Sequence, residues 1–204
     1  ILTSRYSSSP ESTMDYDIKR ISEFSFDTYF KTIEDGNLSD AYWTVMLPQA
    51  LETPVTSAPV FHVYLAAQVK QNDKGFLSKD ITVNHLITNA GDVHHLFPKN
   101  YLKKNGLGKS QYNQIANFVY MQSEINIKVG DKPPSVYFNE LREQANNGGL
   151  KYGGISTFGE LLDNLRQNAI PESIFDLGID DYRRFLTERR ALMAIKIRDY
   201  YHLL

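Results

Sequence analysis

Two adjacent imidazoles, His94 and His95, stand before Leu96-Phe97-Pro98-Lys99, and Asn126 follows 31 residues beyond the second. Residues of these types can cut a phosphodiester bond with the help of one metal ion. The reaction needs a deprotonated water, neutralised phosphate charge and a stabilised leaving oxygen. A divalent cation supplies the last two. A neutral imidazole, with an ordinary pKa of about 6.5, supplies the first. Successive strand residues face opposite ways, so neighbouring histidines reach one site only where the strand ends or twists. Phe97-Pro98 provides that ending. A His-His pair with a purely structural role is the alternative.

The stretch from Gly91 to Ser135 reads GDVHHLFPKNYLKKNGLGKSQYNQIANFVYMQSEINIKVGDKPPS. It resembles the HNH (ββα-metal) nuclease motif, in the variant found in GmrSD-type modification-dependent restriction enzymes. The resemblance rests on an ordered set: His-His-x-x-Pro at 94–98, Ile-x-Asn at 115–117 and Ser-x-x-Asn at 123–126. The last element is also similar to the HNH domain of RNA-guided CRISPR nucleases. The resemblance implies that His94 ligates a metal and that His95 activates water. It further implies that Asn117 braces the loop and Asn126 completes the metal shell. One imidazole with one neutral amide oxygen leaves most positions to water and phosphate, which favours Mg²⁺ or Mn²⁺. Asp92, two residues before His94 on a strand, is read as a further ligand or as a partner orienting His94.

Expected partners follow from the same likeness: DNA as substrate, in restriction or phage (antiviral) defence. The opening segment from Arg5 to Ser12 resembles the junction that follows a nucleotide-using N-terminal domain in GmrSD-type proteins. With no initiator Met, the chain is expected to be the C-terminal portion of a larger protein. It contains no complete Walker-type GxxxxGK[ST] motif of its own: Lys103 stands where the first glycine would precede Gly108-Lys109-Ser110. A non-catalytic nucleic-acid or protein interaction module on the HNH scaffold, or an RNase, stays open beside the DNA endonuclease.

The net charge of −2 does not by itself point to a nucleic-acid binder. The distribution does more: from His94 to Lys132 there are six lysines against two acids, a local +4. Lys99, directly after the proline, is the best phosphate contact, with Lys128 and Lys132 as further candidates. The absence of cysteine removes disulfides and thiolate metal sites and suits a cytoplasmic location. No apolar run reaches the roughly 18 residues of a membrane span.

The elements that would carry these residues are mostly helical, around one small hairpin. Helices are expected at 10–23 (Ser9 N-cap, Pro10 first), at 26–35 ended by Gly36, and at 38–51 interrupted by Pro48. The run 60–70 is apolar almost all round and predicts a buried helix, with His62 at the core or rim. A short helix or strand covers 81–90. Strands at 92–97 and 117–121 flank a turn or short helix at 98–104, and a helix at 123–129 is capped by Ser123 and ended by Gly130. Helices at 135–146, 157–168 and 180–203 follow, with a flexible glycine-rich break after the first. The last shows Tyr182, Leu186, Met193, Ile197 and Leu204 on one face. The fold class is α+β, mostly helical, in one domain over 1–204. That domain has a helical part at 1–75, the ββα core at 76–135 and C-terminal helices at 136–204.

Overall fold

The computed structural model describes residues 1–89, 91 and 93–204. It is a mostly helical α+β fold with one two-stranded antiparallel sheet. Strand β1 (Val93–His95) pairs with β2 (Phe118–Tyr120) in the register Val93–Tyr120, His94–Val119, His95–Phe118. Two further bonds extend the hairpin: Leu96 N–H donates to Asn117 O at 2.8 Å, and Phe76 N–H donates to Tyr120 O at 2.8 Å.

Eleven helices surround this hairpin among the described residues. Helix α1 (Pro10–Phe24) begins with proline at its first position, where a missing N–H costs nothing. The expected Ser9 cap does not form. Ser9 is left-handed with φ 49°, and its carbonyl, not its side chain, receives Thr13 N–H at 3.1 Å. Helix α2 (Phe26–Asn37) continues one residue past Gly36, since a glycine inside a helix costs only about 1 kcal/mol relative to alanine. Asp17, buried on α1, accepts hydrogen bonds from Arg5, Tyr6 and Tyr29, which ties the two helices together.

Pro48 does not interrupt the next segment. A π-turn at Tyr42–Met46, with Leu47 N–H reaching Tyr42 O, precedes α3 (Leu47–Ala50). The widened turn moves the preceding carbonyls away from the proline ring, which would otherwise clash one turn back. Helix α4 (Pro59–Lys70) buries Phe61, Tyr64, Ala67 and Gln68 on one face only, so the expected all-round burial is not met. His62 is exposed on its rim. Helix α5 (Val83–Thr88) is capped by Thr82, whose hydroxyl oxygen accepts His85 N–H at 3.1 Å.

Between the strands lie α6 (Lys99–Lys104), α7 (Lys109–Tyr112) and a 3₁₀ turn at Ile115–Asn117. After β2 come α8 (Ser123–Val129), α9 (Pro134–Asn147), α10 (Phe158–Gln167) and α11 (Tyr182–Tyr201). The residue capping α8 is Gln122 and not Ser123, and Gly130 at φ +62° ends it as expected. The glycine-rich stretch after α9 is pinned, not loose. Buried Gln144 donates to Tyr152 O and Ile155 O and accepts from the N–H groups of Lys151 and Tyr152.

One connected apolar core runs from Tyr42 to Ile197 and includes Leu96, Phe97 and Phe118 from the hairpin region. Phe97 packs against Tyr182 and Phe185 of α11, with ring centroids 5.0 and 4.9 Å apart. Tyr182, Leu186, Met193 and Ile197 are buried as their spacing predicts, whereas Leu204 is 80% exposed beyond the helix end. No helix among the described residues is long and apolar enough to cross a membrane.

Candidate functional site

The register places His94 opposite Val119 and His95 opposite Phe118, the last two residues of β1 before the strand stops. His94 is buried, at 9% exposure. His95 is half-buried and stands edge-on to Phe118, with centroids 5.0 Å apart at 88°, while Tyr112 lies 6.3 Å away. Its Nε2 lies 3.0 Å from Asn113 Oδ1. Burial holds the His95 imidazole below its ordinary value, and positive charge on Lys99 and His94 adds to that, against the opposing effect of the Asn113 hydrogen bond. At neutral pH His95 is therefore an uncharged ring able to accept a proton.

The strand stops directly after His95, and buried polar groups hold the loop that follows. Asn117, fully buried, accepts Phe97 N–H at 2.9 Å and donates to Phe97 O at 3.1 Å and Tyr112 O at 3.2 Å. These bonds tie the loop after β1 to the end of α7. Tyr137 of α9 donates its hydroxyl to Leu96 O at 2.8 Å. Tyr182 of α11 donates to Gln111 O at 3.0 Å. Arg189, also fully buried on α11, donates to Ala116 O at 2.9 Å and Asn168 O at 3.1 Å. The residue after the histidines and the connector leading into β2 are thus fixed from α9 and α11.

Asn126 lies half-buried on α8, between buried Ile125 and Val129. Only Met121 and Gln122 separate that helix from β2, which makes the order strand, loop, strand, helix. Asp92 lies outside the described residues. Among the described residues no group of three or more His, Cys, Asp or Glu forms a metal cage. A set of one imidazole and one amide oxygen is not of that kind.

The lysines separate into two groups. Lys99 is exposed, with Nζ 5.7 Å from the Tyr112 ring, and it is close enough to His95 to influence its protonation. Lys128 is exposed beside a polar cleft that includes Lys79, Gln122 and Glu124. Lys132 instead forms an ion pair with Glu140 at 2.8 Å and donates to the Tyr152 hydroxyl, so it serves the packing of α9. A groove of about 780 Å³ lies elsewhere, between the N-terminal residues, α4 and α11, and contains none of the motif residues.

Sequence reasoning missed Asn113, Tyr137, Tyr182 and Arg189. Asn113 carries no signal beyond being a polar residue in a connector. Arg189 is one of five arginines in α11, from which periodicity alone does not single it out.

No family model matches the chain. It is 24% identical over 212 aligned positions to an uncharacterized protein of Methanocaldococcus jannaschii. The alignment takes in 97% of this chain and 35% of that protein, so the chain spans about a third of its relative's length. No solved structure matches.

Proposed function

We propose that the chain is an HNH-type endonuclease domain that hydrolyses DNA phosphodiester bonds with one divalent metal ion. The observation that carries this reading is the arrangement around Asn117. Its side chain clamps the loop directly after a strand-end His-His pair, and a helix bearing Asn126 follows the partner strand. His94 and Asn126 would hold the ion; the amide oxygen is a hard, neutral donor, and with one imidazole it leaves most positions to water and phosphate, which fits Mg²⁺ or Mn²⁺. When bound, such an ion neutralises phosphate charge and stabilises the leaving oxygen.

The chain's own contribution centres on His95. Its depressed basicity keeps it uncharged at neutral pH, ready to take the proton of a water whose oxygen attacks phosphorus as the opposite P–O bond breaks. The Asn117 clamp and the hydroxyl of Tyr137 hold the loop that ends the strand, so the ring need not be reorganised at each turnover. Lys99, exposed and within electrostatic reach of His95, would contact the phosphate backbone. A role in restriction or phage defence, within a larger protein that carries a nucleotide-using domain, extends the same reading.

Incubation of supercoiled plasmid with the chain in Mg²⁺, Mn²⁺ or EDTA, alongside His95→Ala, tests the assignment. Metal-dependent nicking that the substitution abolishes is the expected result. Cleavage by His95→Ala equal to that of the parent would remove the assigned base. Cleavage of RNA but not DNA would move the activity to the RNase class.

A further inference from the structure

We propose that Asn113 is a positioning residue that fixes the tautomer and ring angle of His95. The inference rests on reading His95 as the base. His95 Nε2 lies 3.0 Å from Asn113 Oδ1. An amide oxygen only accepts, so Nε2 carries the ring hydrogen and Nδ1 keeps the lone pair that can receive a proton. A ring in the other tautomer would present an N–H to water and could not act as a base until it exchanged.

The contact is built from an anchored position. Asn113 ends α7, and its N–H donates to Lys109 O at 3.1 Å. The carbonyl of the preceding residue, Tyr112, accepts from Asn117 Nδ2 at 3.2 Å. Phe118 stands at 88° to the ring, and Tyr112 approaches from another side at 61°. The aromatic neighbours limit rotation of the imidazole, and Asn113 selects which nitrogen bears hydrogen. Asn113 lies outside the His-His, Asn117 and Asn126 set, and its 18-residue separation from His95 hides the pairing from the sequence.

The test uses nitrogen chemical shifts of ¹⁵N-histidine in the metal-free chain at about pH 9, where the ring is neutral. The parent, Asn113→Ala and Asn113→Asp are compared, with kcat and KM for Mn²⁺-supported plasmid nicking measured on each. The parent should show His95 in the Nε2–H tautomer alone. Asn113→Ala should give a mixture, with kcat down by about 10-fold or more and KM little changed, below the ~10²–10⁴ expected for loss of the base itself. Asn113→Asp keeps an acceptor oxygen and should keep the tautomer and most of kcat. A proton on Nδ1 in the parent, an unchanged tautomer in Asn113→Ala, or loss of the tautomer in Asn113→Asp would overturn the proposal. A tautomer that responds as expected while His95→Ala still cuts like the parent would overturn the base reading instead, and with it the catalytic meaning of Asn113.

Discussion

Asn117 and Phe97 are joined through both ends of one amide: Oδ1 accepts Phe97 N–H at 2.9 Å, and Nδ2 donates to Phe97 O at 3.1 Å. A side chain here does what a strand partner would do, at the place where the strand has stopped. Replacing it with alanine leaves Phe97 N–H and Phe97 O without this partner, and Tyr112 O with only the 3.4 Å contact from the Tyr182 hydroxyl. The expected loss is about 2–4 kcal/mol in urea unfolding. Asn117→Asp should also destabilise, because a carboxylate cannot donate to Phe97 O or Tyr112 O. Midpoints within about 0.5 kcal/mol of the parent, the range of ordinary surface changes, would show that the clamp carries no weight.

Gly36 and Gly153 should respond to alanine in opposite directions. A Cβ at Gly36 meets nothing within 4 Å inside α2, so Gly36→Ala should stabilise by roughly 0.5–1 kcal/mol. Gly153 has φ +59°, and a Cβ there would lie 2.1 Å from the Leu77 carbonyl oxygen. Since backbone must move to admit it, Gly153→Ala should cost about 1–3 kcal/mol or more. Thermal midpoints that shift in the same direction would contradict this placement of the two glycines.

Glu140 makes stability pH-dependent. Burial pushes its carboxyl up, but hydrogen bonds from Lys132, Tyr152 and Lys151 outweigh that and hold it at about 2, against an ordinary value of 4.5. A depressed carboxyl stabilises the fold above its unfolded pKa and loses that contribution as pH falls through the folded one. The stability gap between the parent and Glu140→Gln should therefore be full at pH 6 and close between about pH 4.5 and pH 2. A gap that stays constant across that window would mean the carboxylate charge is not what the cluster uses.

Nucleic-acid contacts by lysine should register in the salt dependence of binding. Lys99→Ala and Lys128→Ala are each expected to lower the slope of log K against log salt by about 1 without changing stability. Lys132→Ala should leave the slope unchanged and destabilise the chain, because its ammonium already belongs to Glu140. A slope that responds to Lys132 and ignores Lys99 would reverse the assignment of the backbone-facing side.

The hairpin and its residues were legible because the information is local. A strand-ending proline, an asparagine two residues after Ile115 and a helix just beyond the second strand lie within a few dozen positions of each other. Groups that stabilise the loop from a distance were not legible. Arg189 reaches Ala116 across 73 residues, and Tyr137 reaches Leu96 across 41, so neither leaves a periodic trace. Nothing local in the sequence pairs Lys132 with Glu140, which faces it only once α9 forms. The π-turn that precedes Pro48 depends on hydrogen-bond phase, which composition does not encode. Asp92 falls outside the described residues.

Gln144 has a consequence for how this chain can be altered. Its one side chain sets the return path after α9, through four bonds to Lys151, Tyr152 and Ile155. The exposed residues in between, Gly149 and Leu150, do not define that path. The crossing is therefore a natural splice point. A peptide tag or reporter inserted between Gly149 and Leu150 adds only loop length, which costs about 0.6 kcal/mol per doubling. The same insertion one turn earlier would pull Gln144 away from its partners and undo the turn it defines.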